Sequence, residues 1–196
     1  VCCQMLPDAI GKVGNIRNPW DWYVSLWGCA RKGALYRSLS GVDGWEARKH
    51  WYDDVRNPGH FRQWLRYIIR RSHGKTPRGS NTPAITASAG MLTRRYLKMY
   101  TDGSEHDGTA LATADDIQAF DARHNFIDRF LRTETLDADL DRLIAEFGGV
   151  REARSADDAS RNRSERIAHP YYYDNETAAL VLENERLIVE KHGYTF

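Results

Sequence analysis

The segment Ile16–Ser25 reads I-R-N-P-W-D-W-Y-V-S. Arg17 stands where a short apolar run meets Asn18-Pro19, a pair that ends a strand and starts a helix, with Asn as the cap and Pro in the first turn. Ser25 follows Asn18 by seven residues, two helical turns, and therefore shares its face. An arginine at a strand mouth, an inward hydroxyl and a nearby helix N-terminus together make an anion site. The same residues also read as a structural ion pair and a neutral helix filler. His50, His60 and His73, in or near a cationic middle, are candidate proton acceptors, and each equally reads as a surface or capping histidine. A base before Val1 is as good a reading, and no catalytic residue is assigned. Gly74-Lys75-Thr76 is not a phosphate loop: Ile69 occupies the position that the pattern GxxxxGK[ST] reserves for glycine, and a helix rather than a strand precedes it.

With 196 residues and 22.5 kDa, the chain is long enough for a single domain with its own core. A hydrophobic share of 41% beside 28% charged residues excludes a disordered tail. No apolar run approaches the roughly 18–20 residues that a bilayer helix needs, and the mean hydropathy of −0.64 agrees. Cys2, Cys3 and Cys29 build neither a disulfide framework nor a zinc site, so a reducing, cytoplasmic compartment is expected. The start VCCQMLPDAIGK has no signal-peptide character and no initiator Met, so the chain reads as a fragment.

The net charge of +1 hides a strong asymmetry. Between Val55 and Thr101 stand ten basic residues and no acid, and between Asp102 and Glu146 twelve acids face four arginines. A cationic middle suits nucleotide phosphates, nucleic acid or an acidic glycan. The plainer reading is a set of solvated helix faces that pair with the acidic stretch. Arg62, Arg66 and Arg70 form an i, i+4, i+8 stripe with Trp64, Tyr67 and Tyr96 nearby in sequence, a surface for a sugar acceptor. The Gly74–Pro83 loop reads as a lid or as a simple connection.

The elements that must position these groups are mostly helices. Strands are expected over Lys12–Arg17 and Phe126–Arg132. Helices are expected from Pro19 to a stop at Gly33, from Pro58 to about Ser72, and from Pro83 to Tyr100. Two more run from Leu136, capped by Thr135, to Phe147 before Gly148-Gly149, and from about Asp174 to His192, ended by Gly193. The likeliest flexible segments are Ser72–Pro83, Asp102–Thr109 and Arg151–Arg163. Two strands among helices predict an α/β chain with little sheet: either more strands precede Val1 or the fold is mainly helical.

The pattern R-N-P-x-D-x-x-V-S resembles the 3′-phosphate-binding motif of sulfotransferases that use 3′-phosphoadenosine 5′-phosphosulfate (PAPS). Phe130–Leu143 (FLRTETLDADLDRL) resembles the strand-then-helix segment R-x-E-N-L-x-x-D of that family, with Arg132, Glu134, Leu136 and Asp139 as counterparts. Asn162-Arg163-Ser164 and Tyr171–Phe196 resemble its N-x-S and its closing helix with a G-Y-x-F ending, as in bacterial and carbohydrate members. The resemblance implies a P-loop-NTPase-like sulfotransferase fold, incomplete and helix-rich in this chain. It implies one domain over residues 1–196, lacking the N-terminal strand and loop that grip the 5′-phosphosulfate. It also implies that Arg17 and Ser25 hold the 3′-phosphate of PAPS, that no metal takes part, and that a sulfuryl group passes to a hydroxyl, most simply of a glycan. A non-catalytic remnant or interaction domain of the same fold is the alternative, with a nucleic-acid-binding module behind it.

Overall fold

The computed structural model describes residues 11–30, 45–72, 81–150 and 167–196. The Gly33 stop, Cys2, Cys3, His73, Gly74-Lys75-Thr76, Arg151–Arg163 and Asn162-Arg163-Ser164 lie outside the described residues, as does most of the Ser72–Pro83 loop.

Strand β1 (Val13–Ile16) pairs in parallel with β2 (Arg129–Arg132), with Val13 opposite Arg129 and Ile16 opposite Arg132. Between β1 and β2 lie helices α1 (Pro19–Ala30), α2 (Trp45–Arg48), α3 (Pro58–Ser72), α4 (Met91–Tyr100) and α5 (Ala114–His124). After β2 come α6 (Leu136–Glu146), α7 (Asn175–Asn184) and α8 (Arg186–His192). The described residues are mixed α/β and 61% helical, so helices rather than the two-stranded sheet carry the core.

One residue on each outer edge of the sheet is held by a side chain. The Tyr100 hydroxyl donates to the Asn15 carbonyl at 2.8 Å and accepts from the Asn15 N–H at 3.2 Å. In a parallel pair both backbone groups of one residue point to the same side. Tyr100 therefore covers the edge of β1 that faces away from β2. On the far side of β2, the Asp139 carboxylate accepts from the Arg132 N–H at 2.8 Å. Each contact takes a backbone group that a further strand would need at that position.

Asparagine caps start two helices as their Asn-Pro pairs predict. Asn18 Oδ1 accepts from Trp20 N and Asp21 N at 3.0 and 3.3 Å, and Asn57 Oδ1 accepts from Gly59 N and His60 N at 2.9 and 3.3 Å. The helix expected over Pro83–Tyr100 begins only at Met91. Residues 84–89 are extended instead, because Leu111 bridges them and the buried Arg94 guanidinium donates to the carbonyls of Ile85, Ala87 and Ala89. The helix α5 lies in a stretch the sequence pattern passed over, and a Thr113/Asp116 capping box starts it. Thr135 makes no cap: its hydroxyl bonds Asp139 at 3.0 Å instead. Phe147, at the end of that helix, is exposed.

The closing helix is broken at Glu185, between α7 and α8. That carboxylate is fully buried and accepts from Leu92 N, Thr93 N, the Thr93 hydroxyl and the Tyr23 hydroxyl at 2.5–3.1 Å. It supplies the N-terminal cap that Gly90 cannot. Burial pushes the Glu185 carboxyl upward while these hydrogen bonds pull it down, leaving it above its ordinary range. Tyr23, Trp27, Phe61, Trp64 and Tyr172 form the centre of the core in edge-on and tilted ring contacts. Aromatic pairs of this kind contribute beyond their buried area.

Candidate anion-binding site

Arg17 leaves the C-terminal end of β1, the end of a parallel strand at which open α/β sheets bind ligands. Its Nη1 donates to Ser25 Oγ at 3.0 Å, and its Nε donates to Asp21 Oδ2 at 2.6 Å. Nη2 lies 2.5 Å from the same carboxylate oxygen, and the Arg17 side chain keeps 22% of its surface in solvent. The two candidate residues are thus in contact across the first two turns of α1. A guanidinium carries five N–H groups. Those engaged sit on Nε, Nη1 and Nη2, which leaves one on each Nη for a ligand. The half-buried Ser25 hydroxyl accepts from Arg17 and keeps its own proton to donate. Three donors are therefore left on two touching, partly exposed side chains, a donor set that suits the oxygens of a phosphate monoester.

The helix N-terminus expected to assist is occupied. Asn18 Oδ1 takes the first free amides of α1, Pro19 has none, and the Asn18 N–H donates to Glu134 Oε1 at 2.6 Å. The anion site is carried by side chains alone. Asp21, four residues from Arg17, is the residue whose spacing signals pairing without revealing which edge of the guanidinium it fills. Glu134 sits at this junction only because β2 lies beside β1.

The other candidates scatter. The His50 and His60 rings meet edge-on at 5.8 Å near the start of α3, and His60 Nδ1 is buried with no partner. Neither histidine bonds or stacks with Arg17, Asp21 or Ser25. Of the aromatics on the expected acceptor surface, Trp64 and Tyr96 are buried in the core, and Tyr67 is half-buried with the Arg48 guanidinium over its ring at 4.4 Å. Two members of the arginine stripe serve the fold. Arg62 donates to the carbonyls of Tyr172 and Tyr173 at 3.0 and 2.9 Å, and Arg66 donates to Glu176 at 2.8 Å. Their partners thus come from the start of α7 rather than from the acidic stretch. Arg94, counted in the cationic middle, is buried against backbone carbonyls, and burial lowers its pKa.

An open cleft of about 440 Å³ lies between β2 and α6, with Arg129, Arg132, Asp139, Arg142 and Glu146 on its walls. Arg129 pairs with Glu146 across it, and Arg142 pairs with Asp139 along α6, so two of its three arginines are neutralised by these acids. Among the described residues no group of three or more His, Cys, Asp or Glu side chains is placed to hold a metal ion. No described helix is long and apolar enough to cross a membrane.

Compared with family models, with curated proteins and with solved structures, the chain finds no match.

Proposed function

We propose that this chain carries the 3′-phosphate-binding half of a sulfotransferase that moves a sulfuryl group from PAPS to a hydroxyl of a carbohydrate or other small acceptor. The observation that supports this reading most is the 3.0 Å contact of Arg17 with Ser25 at the mouth of β1, with three donors left for an anion. In such a transfer the acceptor oxygen attacks sulfur while the bond from sulfur to the bridging phosphate oxygen breaks. A base takes the hydroxyl proton, and 3′,5′-diphosphoadenosine leaves with the bonding electrons. Within this chemistry Arg17 and Ser25 anchor the nucleotide rather than act on the reacting atoms. The uneven three cysteines, with Cys29 exposed and free, fit a cytoplasmic setting for the reaction.

The reading is tested by calorimetric titration of the chain with 3′,5′-diphosphoadenosine at two salt concentrations. Saturable binding that Arg17→Ala abolishes is the expected result, and absence of binding by the folded chain refutes it. A second reading, a non-catalytic domain of the same fold, keeps the nucleotide site without the transfer chemistry, and it is favoured by His50 and His60, which contact each other and not the Arg17 group. Nucleotide binding without sulfuryl transfer to any of a panel of sugar acceptors distinguishes it.

A further inference from the structure

The end of the chain crosses the mouths of both strands. Gly193 adopts a left-handed φ of +60°, which turns the backbone out of α8 at little steric cost. The Tyr194 hydroxyl then donates to Glu134 Oε2 at 3.3 Å, and the Thr195 carbonyl accepts from Asn18 Nδ2 at 3.1 Å. The Phe196 ring lies edge-on to Trp20 at 5.6 Å and to Tyr173 at 5.5 Å. The second oxygen of Glu134 accepts the Asn18 N–H at 2.6 Å. One residue earlier, Thr133 donates to Asn15 Oδ1 at 2.9 Å and to the Ile16 carbonyl at 3.1 Å.

These contacts hold the residues on either side of Arg17 and leave its side chain untouched. Every hydrogen-bonding group of Asn18 except its carbonyl, which starts the helix, is spoken for by the cap, the tail or Glu134. A carboxylate at this place has the wrong sign to attract an anion. Its value to the site is therefore geometric. A ligand held by converging donors tolerates little misplacement of the group that holds it.

We propose that Glu134 and the tail Gly193–Phe196 form a clamp that positions Arg17 through Asn18, Glu134 being the positioning residue and the tail its brace. The clamp's use rests on the anion-site reading above, while its geometry does not, and the test separates the two. The full chain and its Glu134→Gln, Glu134→Ala and Phe196→Ala variants are titrated with 3′,5′-diphosphoadenosine. The Arg17 Nε–H resonance of each is followed by ¹⁵N NMR. Glu134→Gln keeps an acceptor for Asn18 and removes a negative charge, so it binds at least as tightly as the wild type. Glu134→Ala removes the same charge and also the acceptor, and it binds about five- to tenfold more weakly, the loss of one hydrogen bond.

In Glu134→Ala and Phe196→Ala the Arg17 Nε–H signal shifts and exchanges faster. In Val181→Ala, a core truncation away from the site, it does not. Tighter or equal binding by Glu134→Ala overturns the clamp, because electrostatics would then outweigh placement. An unchanged Arg17 signal in Phe196→Ala overturns it as well, and this holds even where Glu134→Ala fails to fold. Absence of binding by the wild type refutes the sulfotransferase reading alone, and the Arg17 signal then decides the clamp.

Discussion

Arg17 shows how much a single guanidinium can be asked to do. Asp21 fixes one edge, Ser25 receives one donor, and the remaining donors belong to a side chain that keeps 22% of its surface in solvent. A lysine at this position has no planar fork and cannot serve a carboxylate, a hydroxyl and an anion together. Arg17→Ala is therefore expected to weaken 3′,5′-diphosphoadenosine binding about 10- to 100-fold, the range for charge-assisted hydrogen bonds. Arg17→Lys should recover only part of that loss. Lys98→Ala, on α4 in the cationic middle, is the control, and an equal effect there would sink the assignment. Arg94 marks the opposite use of the same side chain. It is buried, and it holds backbone carbonyls in place of a ligand. Counting cations in the sequence could not separate Arg17 from Arg94, because burial and partners are set by distant segments.

At the scale of elements, the helix ends decide the architecture. The apolar spacing of Ile85, Leu92, Tyr96 and Met99 suggests a helix from Pro83, yet α4 starts at Met91. Glu185, more than ninety residues away in sequence, supplies the cap that sets this start. A Cβ on Gly90 would stand 1.9 Å from Glu185 Oε1 and 2.8 Å from the Tyr23 hydroxyl. Gly90→Ala should therefore cost about 2–4 kcal/mol in urea unfolding, as disruption of a buried polar network does. Asp174 caps α7 in a box with Thr177, its Oδ1 accepting from Thr177 N at 2.8 Å. Asp174→Ala should cost about 1 kcal/mol in the same measurement. The Asn18 and Asn57 caps were legible because a cap and its helix are adjacent in sequence. The Glu185 cap was not, because its donor and acceptor lie on different elements.

For the whole molecule, acid is the informative perturbation. His192 packs against Tyr96, Phe130 and Tyr194, and its pKa is lowered to about 4, chiefly by burial and then by Lys191 and Arg132, against the pull of Asp121. An unfolded histidine takes its proton near pH 6.5. Between pH 6.5 and 4 the unfolded chain thus binds a proton that the folded chain refuses, and stability falls as the pH falls. Allowing for the partial exposure of the ring, the loss is on the order of 1–2 kcal/mol. Urea unfolding at pH 7 and pH 4.5 should show it, and His192→Gln should show less. Asp139, whose pKa is lowered first by the Arg132 N–H, contributes its own loss only below the ordinary aspartate range, so the two effects separate.

By itself the sequence determined what is local: the Asn18 and Asn57 caps, the two short strands, the glycine after α8, and the eight-residue spacing that sets Arg17 beside Ser25. Each depends on backbone preferences or on helix period, which act over a few residues. The tertiary structure alone decided the rest. It set β1 against β2, brought Tyr100 to Asn15 and Asp139 to the Arg132 N–H at the sheet edges, broke the last helix at the buried Glu185, and brought Glu134 and the chain's tail to Asn18. Those contacts join residues separated by tens to more than a hundred positions. They form only once burial of the aromatic core has offset the entropy of bringing such distant segments together.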